Sequence, residues 1–310
     1  MKVVAVINYK GGVGKTSLTA NLGAELAWRG KRVLMLDLDP QASLTFSFIA
    51  PDEWESDFSR QGTIKSWFDS FESGTVLPLE SLIYTPPRSA RRLRENGGKL
   101  DLIPSHLALI NVDLELATKL GGATIAQGKK NFLRIHRRLA EGLRGLESQY
   151  DLVLIDCPPN FNIVTKTAIV ASDYILVPAR PDNLSTLGID YLIRSVNQLV
   201  RDYNDYAAVD DGEVTPAIDP KILGVVFTMI QEYGGVPIGA QRPFIDRIRA
   251  RQDVAVFENY IKRNDTLFAD VSQYGVPIVL INFGSNATHQ SVVRGLERVA
   301  DDFVAAVGVV

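Results

Sequence analysis

The segment YKGGVGKTS, Tyr9 to Ser17, follows the apolar run KVVAVIN (2–8) and opens a helical stretch, Thr16 to Arg29, that stops at Gly30. Strand, glycine-rich turn and helix in that order form the context of a phosphate-binding loop. Glycines let the backbone curl until several N–H groups point inward, and the helix N-terminus adds partial positive charge. Gly11, Gly12, Val13 and Gly14 then supply the cradle, and Lys15 reaches the β- and γ-phosphates. Thr16 and Ser17 complete the nucleotide site, Thr16 as a Mg2+ ligand through its hydroxyl. The alternative is an ordinary strand-to-helix turn with an incidental lysine.

Six further runs share the Val/Ile/Leu-rich character of the first: RVLMLDL (32–38), KLDLIPS (99–105), YDLVLID (150–156), DYILVPA (173–179), KILGVVFT (221–228) and VPIVLIN (276–282). Strands buried on both faces have this unalternating pattern. Helical stretches are expected at Asn131–Leu146, Asn162–Ala171 and Leu184–Arg201. The order β-α-β-β, then repeated α-β units, predicts an α/β fold: a doubly wound, mostly parallel sheet flanked by helices, as in a P-loop NTPase. Residues 50–98, with Pro51, Pro78, Pro86 and Pro87, and residues 202–220 look irregular. Neither resembles a linker, so a single domain over 1–310 is expected.

Composition narrows the chemistry. The 310 residues carry 33 Lys and Arg against 36 Asp and Glu, a net charge of −3, with 46% hydrophobic residues, which excludes a mostly disordered chain. Near-neutral charge requires any nucleic-acid contact to come from a local patch. One cysteine, Cys157, excludes an intramolecular disulfide and a cysteine-based zinc site; it reads as a small buried residue with no redox task. His106, His136 and His289 lack metal-ligand spacing. No apolar run reaches the roughly 18–20 residues of a membrane span, and the N-terminus shows no signal-peptide cleavage site. A cytoplasmic location is expected.

Four acidic or basic positions stand out. Lys10 sits at the loop tip, although the phosphates of its own nucleotide already have Lys15. A cation supplied in trans would stabilise the transferring phosphoryl group on another subunit; the alternative is a solvated surface lysine. Asp37 and Asp39 lie two apart at a strand end, so both side chains are expected to project the same way, toward the ligand crevice of a parallel sheet. Asp156 ends the buried run YDLVLID, as a Walker B aspartate that holds Mg2+ directly or through water.

KGGVGKT, DLDPQ and DCPP together resemble the ParA/MinD ATPases, and the resemblance spans nearly the whole chain. It implies ATP and Mg2+ as cofactors. It makes Lys10 the signature lysine of a deviant Walker A motif, acting across a nucleotide-sandwich homodimer. It assigns water activation to Asp39, leaving Asp37 structural, and makes DCPP the second switch. GVVFTMI (224–230), with Thr228 and Met229, resembles the strand that reaches the adenine pocket. IKRNDTLFADVSQYGVPI (261–278) resembles the family's I-P-R-N…G-P-I segment, which brings Asn264 near the base; Lys262 stands where the family carries proline.

Family members differ in what they hold. The phosphate loop starts at residue 9, so an N-terminal helix-turn-helix and self-regulated transcription are not expected. A basic amphipathic membrane helix, as in MinD-type members, is the alternative, but the C-terminal SVVRGLERVADDFVAAVGVV carries Asp301 and Asp302 and is expected to pack on the sheet. One cysteine does not support a bridged iron–sulfur cluster. The resemblance then implies DNA binding without sequence specificity by the ATP dimer, nucleoid association, slow intrinsic hydrolysis, and stimulation by a ParB-like or other cargo-adaptor protein. The cargo implied is a plasmid or chromosome, with a protein assembly as the alternative. Arg242, Arg247, Arg249, Arg251, Lys262 and Arg263 are the expected DNA-binding cluster; RSARRLR, with Arg88, Arg91, Arg92 and Arg94, is a second basic run. Either could be only a solvated face.

Overall fold

The computed structural model describes residues 1–73, 77–209, 215–269 and 275–308. Six strands, β1 (Lys2–Val6), β2 (Arg32–Asp37), β3 (Lys99–Ile103), β4 (Leu152–Asp156), β5 (Tyr174–Ala179) and β6 (Lys221–Phe227), form one sheet in the order β3-β2-β4-β1-β5-β6. Every pairing in it is parallel. Glu232–Tyr233 (β7) and Val236–Pro237 (β8) make a separate antiparallel hairpin. The helices, in chain order, are α1 (Lys15–Trp28), α2 (Ser43–Phe46), α3 (Pro51–Asp57), α4 (Ile64–Ser73), α5 (Pro87–Leu93), α6 (Leu109–Leu120), α7 (Ile125–His136), α8 (Arg138–Arg144), α9 (Ile163–Val170), α10 (Asn183–Ala207), α11 (Arg242–Arg249), α12 (Asp265–Ala269) and α13 (Ala287–Val307).

The sheet is buried on both faces, as the unalternating runs require. Val4, Val6, Met35 and Leu154 pack with Leu18, Leu22, Leu296 and Phe303 of α1 and α13. Their neighbours Val3, Ala5, Leu34 and Ile155 pack with Leu133, Leu139, Ile169 and Leu192 of α7 to α10. The C-terminal helix therefore lies on the sheet. Among the described residues, no helix is long and apolar enough to cross a membrane.

Four expectations change. VPIVLIN is not a strand: after Pro277 it makes a 3₁₀ turn, Ile278–Leu280, and buries its apolar residues between α1 and α13 instead of pairing. The Asn131–Leu146 stretch is two helices that meet at Arg137, and the first begins at Ile125, capped by Thr124, whose Oγ1 accepts the Gln127 N–H at 3.1 Å. Residues 50–98 are mostly short helices. Pro51 and Pro87 sit in the first turns of α3 and α5, where a missing N–H costs nothing, so they start helices instead of interrupting structure. Helix α10 runs six residues beyond Arg201 into the stretch read as a loop. Parts of four readings, residues 74–76, 210–214, 270–274 and 309–310, lie outside the described residues.

The register aligns the chemistry. Asp156 lies opposite both Val6 of β1 and Asp37 of β2 at the C-terminal edge of the sheet. With β2 and β3 on one side of β1 and β5 and β6 on the other, the chain reverses its winding beside β1. That is where open parallel sheets hold ligands.

Candidate active site

The loop after β1 is shaped by glycine. Gly12 has φ 69° and Gly14, the N-cap of α1, has φ 76°, conformations that L side chains resist. A Cβ at Gly11 or Gly12 would meet no atom within 4 Å, so the cradle is open. Lys15 is buried at 6% exposure and folds back across the loop, its Nζ donating to the carbonyls of Asn8 and Lys10 at 3.3 Å each. Burial lowers the pKa of its ammonium, opposed by the nearby carboxylates of Asp156 and Asp39. Thr228 closes the far side: its hydroxyl donates to the Val13 carbonyl at 2.6 Å.

Thr16 and Asp156, separated by 140 positions, meet directly: the Thr16 hydroxyl donates to Asp156 Oδ2 at 2.7 Å. Asp156 Oδ1 is buried and has no hydrogen-bond partner among the described residues. Burial, then the neighbouring Asp37, holds the Asp156 carboxyl well above the usual carboxylate range. A desolvated, half-satisfied carboxylate beside a hydroxyl offers oxygen donors suited to Mg2+, whose charge would favour the ionised form. The residues fit both groups: the open glycine cradle and Lys15 would hold the phosphates of ATP, and Thr16 with Asp156 would hold Mg2+.

Asp37 and Asp39 both lie near Asp156 but differ in surroundings. The strand ends at Asp37, so the alternation stops before residue 39. Asp37 is fully buried, accepting from the N–H and hydroxyl of Thr45 at 2.8 and 2.7 Å and from the Asp39 N–H at 3.1 Å. Burial pushes its pKa up to about 7, against the lowering effect of those hydrogen bonds. It ties down the turn that presents Asp39, which stays half-buried at the rim and accepts the Gln41 N–H at 2.9 Å.

Lys10 is held by residues on both sides of the loop. Its N–H donates to Asn8 Oδ1 at 2.9 Å, and its Nζ pairs with Asp182 Oδ2 at 2.6 Å. Asp182 also caps α10 by accepting the Ser185 N–H at 2.9 Å. Burial acts to raise the Asp182 pKa, but the hydrogen bonds from Lys10 and Ser185 prevail and lower it. Asp182 escaped the sequence reading, although Asp-x-x-Ser before a helix is a capping signal.

Met229 has φ 55°, and a Cβ on Gly14 would lie 3.6 Å from its Cε. Asn264 caps α12 by accepting the Leu267 N–H at 3.0 Å and lines a cavity of about 750 Å³ with Ile230, Gln231 and Lys262. Lys262 is held there by Glu232 at 2.7 Å and the Ser291 hydroxyl at 2.8 Å. In the basic cluster, Arg251 pairs with Asp190 and Asp253, and Arg263 pairs with Asp265 at 2.6 Å. Arg242 and Arg249 donate to the carbonyls of Pro237 and Glu258 at 2.7 and 3.0 Å, and Arg247 lies over the ring of Phe244.

Comparison with known proteins agrees with this geometry. The family described as an AAA domain matches residues 1–209. The sporulation initiation inhibitor protein Soj of Bacillus subtilis is 26% identical over 279 residues, 90% of each chain. The chromosome partitioning protein ParA of Caulobacter vibrioides is 29% identical over 282 residues, 90% of this chain and 87% of the relative. A solved complex of a Cyanothece McdA variant with ATP superposes with a TM-score of 0.69 at 20% identity, over 100% of this chain and 97% of that one. ATP and Mg2+ are the cofactors that go with this glycine cradle, buried lysine and Thr16–Asp156 pair, and the chain belongs to the ParA/MinD family of P-loop ATPases.

Proposed function

We propose that this chain is a single-domain, ParA-type ATPase that closes into a homodimer on ATP, binds DNA without sequence preference, and releases it when a cargo-bound adaptor stimulates Mg2+-dependent hydrolysis. The observation that carries the reading is the contrast between the two loop lysines. Lys15 is buried in its own cradle, whereas the Lys10 ammonium pairs with Asp182 at the start of α10, outside the loop. Released from Asp182, this second ammonium would reach the phosphates of a second copy, where it would stabilise charge as ATP is cleaved. Asp39, at the rim, would orient the attacking water.

The surroundings of Lys10 support a second copy. Leu184, Leu187 and Tyr191 are exposed along α10 at i, i+3 and i+7, and Tyr191 packs on Tyr9, beside Lys10, with ring centroids 4.9 Å apart. Leu107, Ile110 and Leu114 form another exposed apolar row leading into and along α6. α6 is joined to the segment after DCPP, since Asp113 accepts the Ile163 N–H at 2.7 Å. Contiguous apolar rows of this kind mark association surfaces. DNA contact would come from α11 and its surroundings. Few phosphate contacts per protomer would give weak, salt-sensitive binding that dimerisation strengthens.

The test is sedimentation and duplex-DNA affinity of the wild type and Lys10→Ala with ATP, ADP or no nucleotide, across salt. The wild type is expected to dimerise and bind DNA only with ATP, and the variant to do neither. A wild type that stays monomeric with ATP, or a variant that matches it, refutes the reading.

A further inference from the structure

The turn that carries Asp39 is strained, and it is held from another part of the chain. Ala42, at the end of that turn, has φ 53° and is fully buried. Among the described residues, only Ala42 and Met229 place a side chain in the left-handed region, and both adjoin the candidate site. Such a conformation persists only where its surroundings over-determine it. The Asp39 carbonyl is the point of restraint. It accepts the Ala42 N–H at 2.8 Å, which closes the turn, and the Ser105 hydroxyl at 2.7 Å, which reaches it from just beyond β3, 66 positions away. Ser105 is itself fixed. It is fully buried, its N–H donates to the Thr45 hydroxyl oxygen at 2.8 Å, and its carbonyl accepts the Trp54 Nε1–H at 3.1 Å. The Thr45 hydroxyl in turn donates to Asp37.

Building on the proposed role of Asp39 in orienting the attacking water, we infer that Ser105 is a positioning residue for this reaction. Its hydroxyl fixes the Asp39 backbone, and through it the direction of the Asp39 carboxylate. The other ties of residue 39 are local: its N–H donates to Asp37 Oδ1 at 3.1 Å, and its carboxylate accepts the Gln41 N–H at 2.9 Å. With those alone, the turn can pivot about the Asp39 N–H as Ala42 relaxes. With Ser105 as well, the peptide groups on both sides of Asp39 are fixed, and its Cα–Cβ direction with them. The frame of reference is the sheet. Ser105 follows β3, which pairs with β2, and β2 pairs with β4, the strand that ends in Asp156. The Asp39 carbonyl already has the Ala42 donor, so the serine is not needed to satisfy it. A reacting group displaced by about 1 Å can lose roughly a hundredfold in rate. The cradle and Lys15, which would hold ATP, make no hydrogen bond to Ser105.

The experiment compares wild type, Ser105→Ala and Asp39→Ala as full chains. Ser105→Ala removes one oxygen and leaves the Asp39 carbonyl with its Ala42 donor, so the fold is expected to hold, as circular dichroism will show. Should it not, Ser105→Cys, with a weaker donor, takes its place. Without nucleotide, hydrogen exchange over residues 38–46 is expected to be roughly tenfold faster in Ser105→Ala, with residues 9–17 unchanged. With ATP and Mg2+, kcat is expected to fall by roughly tenfold or more, while KM and the affinity for a fluorescent ATP analogue stay within about twofold. Unchanged exchange or unchanged kcat overturns the inference. A loss of ATP affinity that matches the loss of turnover also overturns it, because the serine would then serve the site as a whole. Asp39→Ala tells this failure from failure of the proposed role. If it hydrolyses ATP as the wild type does, that role falls and the inference with it. If it loses hydrolysis while Ser105→Ala keeps it, only the inference falls.

Discussion

Lys10 Nζ lies 2.6 Å from Asp182 Oδ2, and Asp182 also caps the helix that bears the exposed row Leu184, Leu187 and Tyr191. One carboxylate thus holds both the lysine proposed to act in trans and the start of the apolar surface proposed to receive a second copy. For Lys10 to reach a neighbour's phosphates, this pair must open.

Asp182→Asn tests that relationship. Asparagine caps helices as well as aspartate, so α10 keeps its start while the ion pair loses its charge. Both side chains are about one-third exposed (28% and 33%), which limits the pair to about 1 kcal/mol at most. The variant is expected to dimerise at up to roughly fivefold lower ATP concentration in a sedimentation titration. An unchanged titration would show that the pair is an incidental surface contact.

Asp156→Asn separates stability from function. The native carboxylate is desolvated, lies beside Asp37, and leaves Oδ1 unpartnered. Asparagine keeps an acceptor for the Thr16 hydroxyl and removes the buried charge. Without nucleotide, the variant is expected to melt at or above the parental temperature, because relieving a buried, poorly compensated charge is neutral or stabilising. ATP hydrolysis is expected to fall by at least roughly a hundredfold, since the Mg2+ donor set is broken. A clear drop in melting temperature with hydrolysis retained would make Asp156 a structural residue.

The loop, the two acidic strand ends and the six strands of the main sheet were legible because each leaves a local pattern. Gly12, Gly14, Lys15 and Thr16 are adjacent in sequence, and strands buried on both faces carry unbroken apolar runs. VPIVLIN was misread because an apolar run reports burial and not pairing; Pro277 and the neighbouring α1 turn it into a 3₁₀ segment. The contacts that set the behaviour of the site are long-range: Lys10 with Asp182, Thr16 with Asp156, and Lys262 with Glu232. No periodicity encodes which carboxylate a lysine finds.

Gly97 and Gly98 predict a graded pair of effects. At Gly98, a Cβ would lie 1.8 Å from the Ala27 carbonyl oxygen at the end of α1 and 3.1 Å from that of Lys31. Backbone atoms cannot give way as a side chain can, so Gly98→Ala must displace β3 or α1. At Gly97, φ is 71° but the space is open, so Gly97→Ala carries only the left-handed penalty, about 1–2 kcal/mol. Urea unfolding is expected to place Gly98→Ala at least about 2 kcal/mol below wild type and below Gly97→Ala. Equal losses would mean that the approach of β3 to α1 relaxes without cost.

His136 sets an acid limit on stability. Its ring is fully buried, and its Nδ1 faces the Phe132 carbonyl at 2.8 Å, an acceptor, so Nδ1 carries the proton of the neutral ring. Nε2 is buried with no partner among the described residues. Burial chiefly, with Lys166 nearby, lowers its pKa from 6.5 to about 4, against the opposing effect of the Phe132 hydrogen bond. The unfolded chain therefore binds this proton more readily than the folded one between those values. The stability that depends on a neutral ring is complete above about pH 6.5 and is lost as pH falls toward 4, by up to about 3 kcal/mol. Leucine at this position keeps the apolar contacts and removes the titration. Urea unfolding of wild type and His136→Leu from pH 8 to pH 4 is expected to show their difference constant above pH 7. Below that the difference should shift steadily in favour of the variant. A difference that stays flat throughout would show that the ring gains its second proton without unfolding the helix around it.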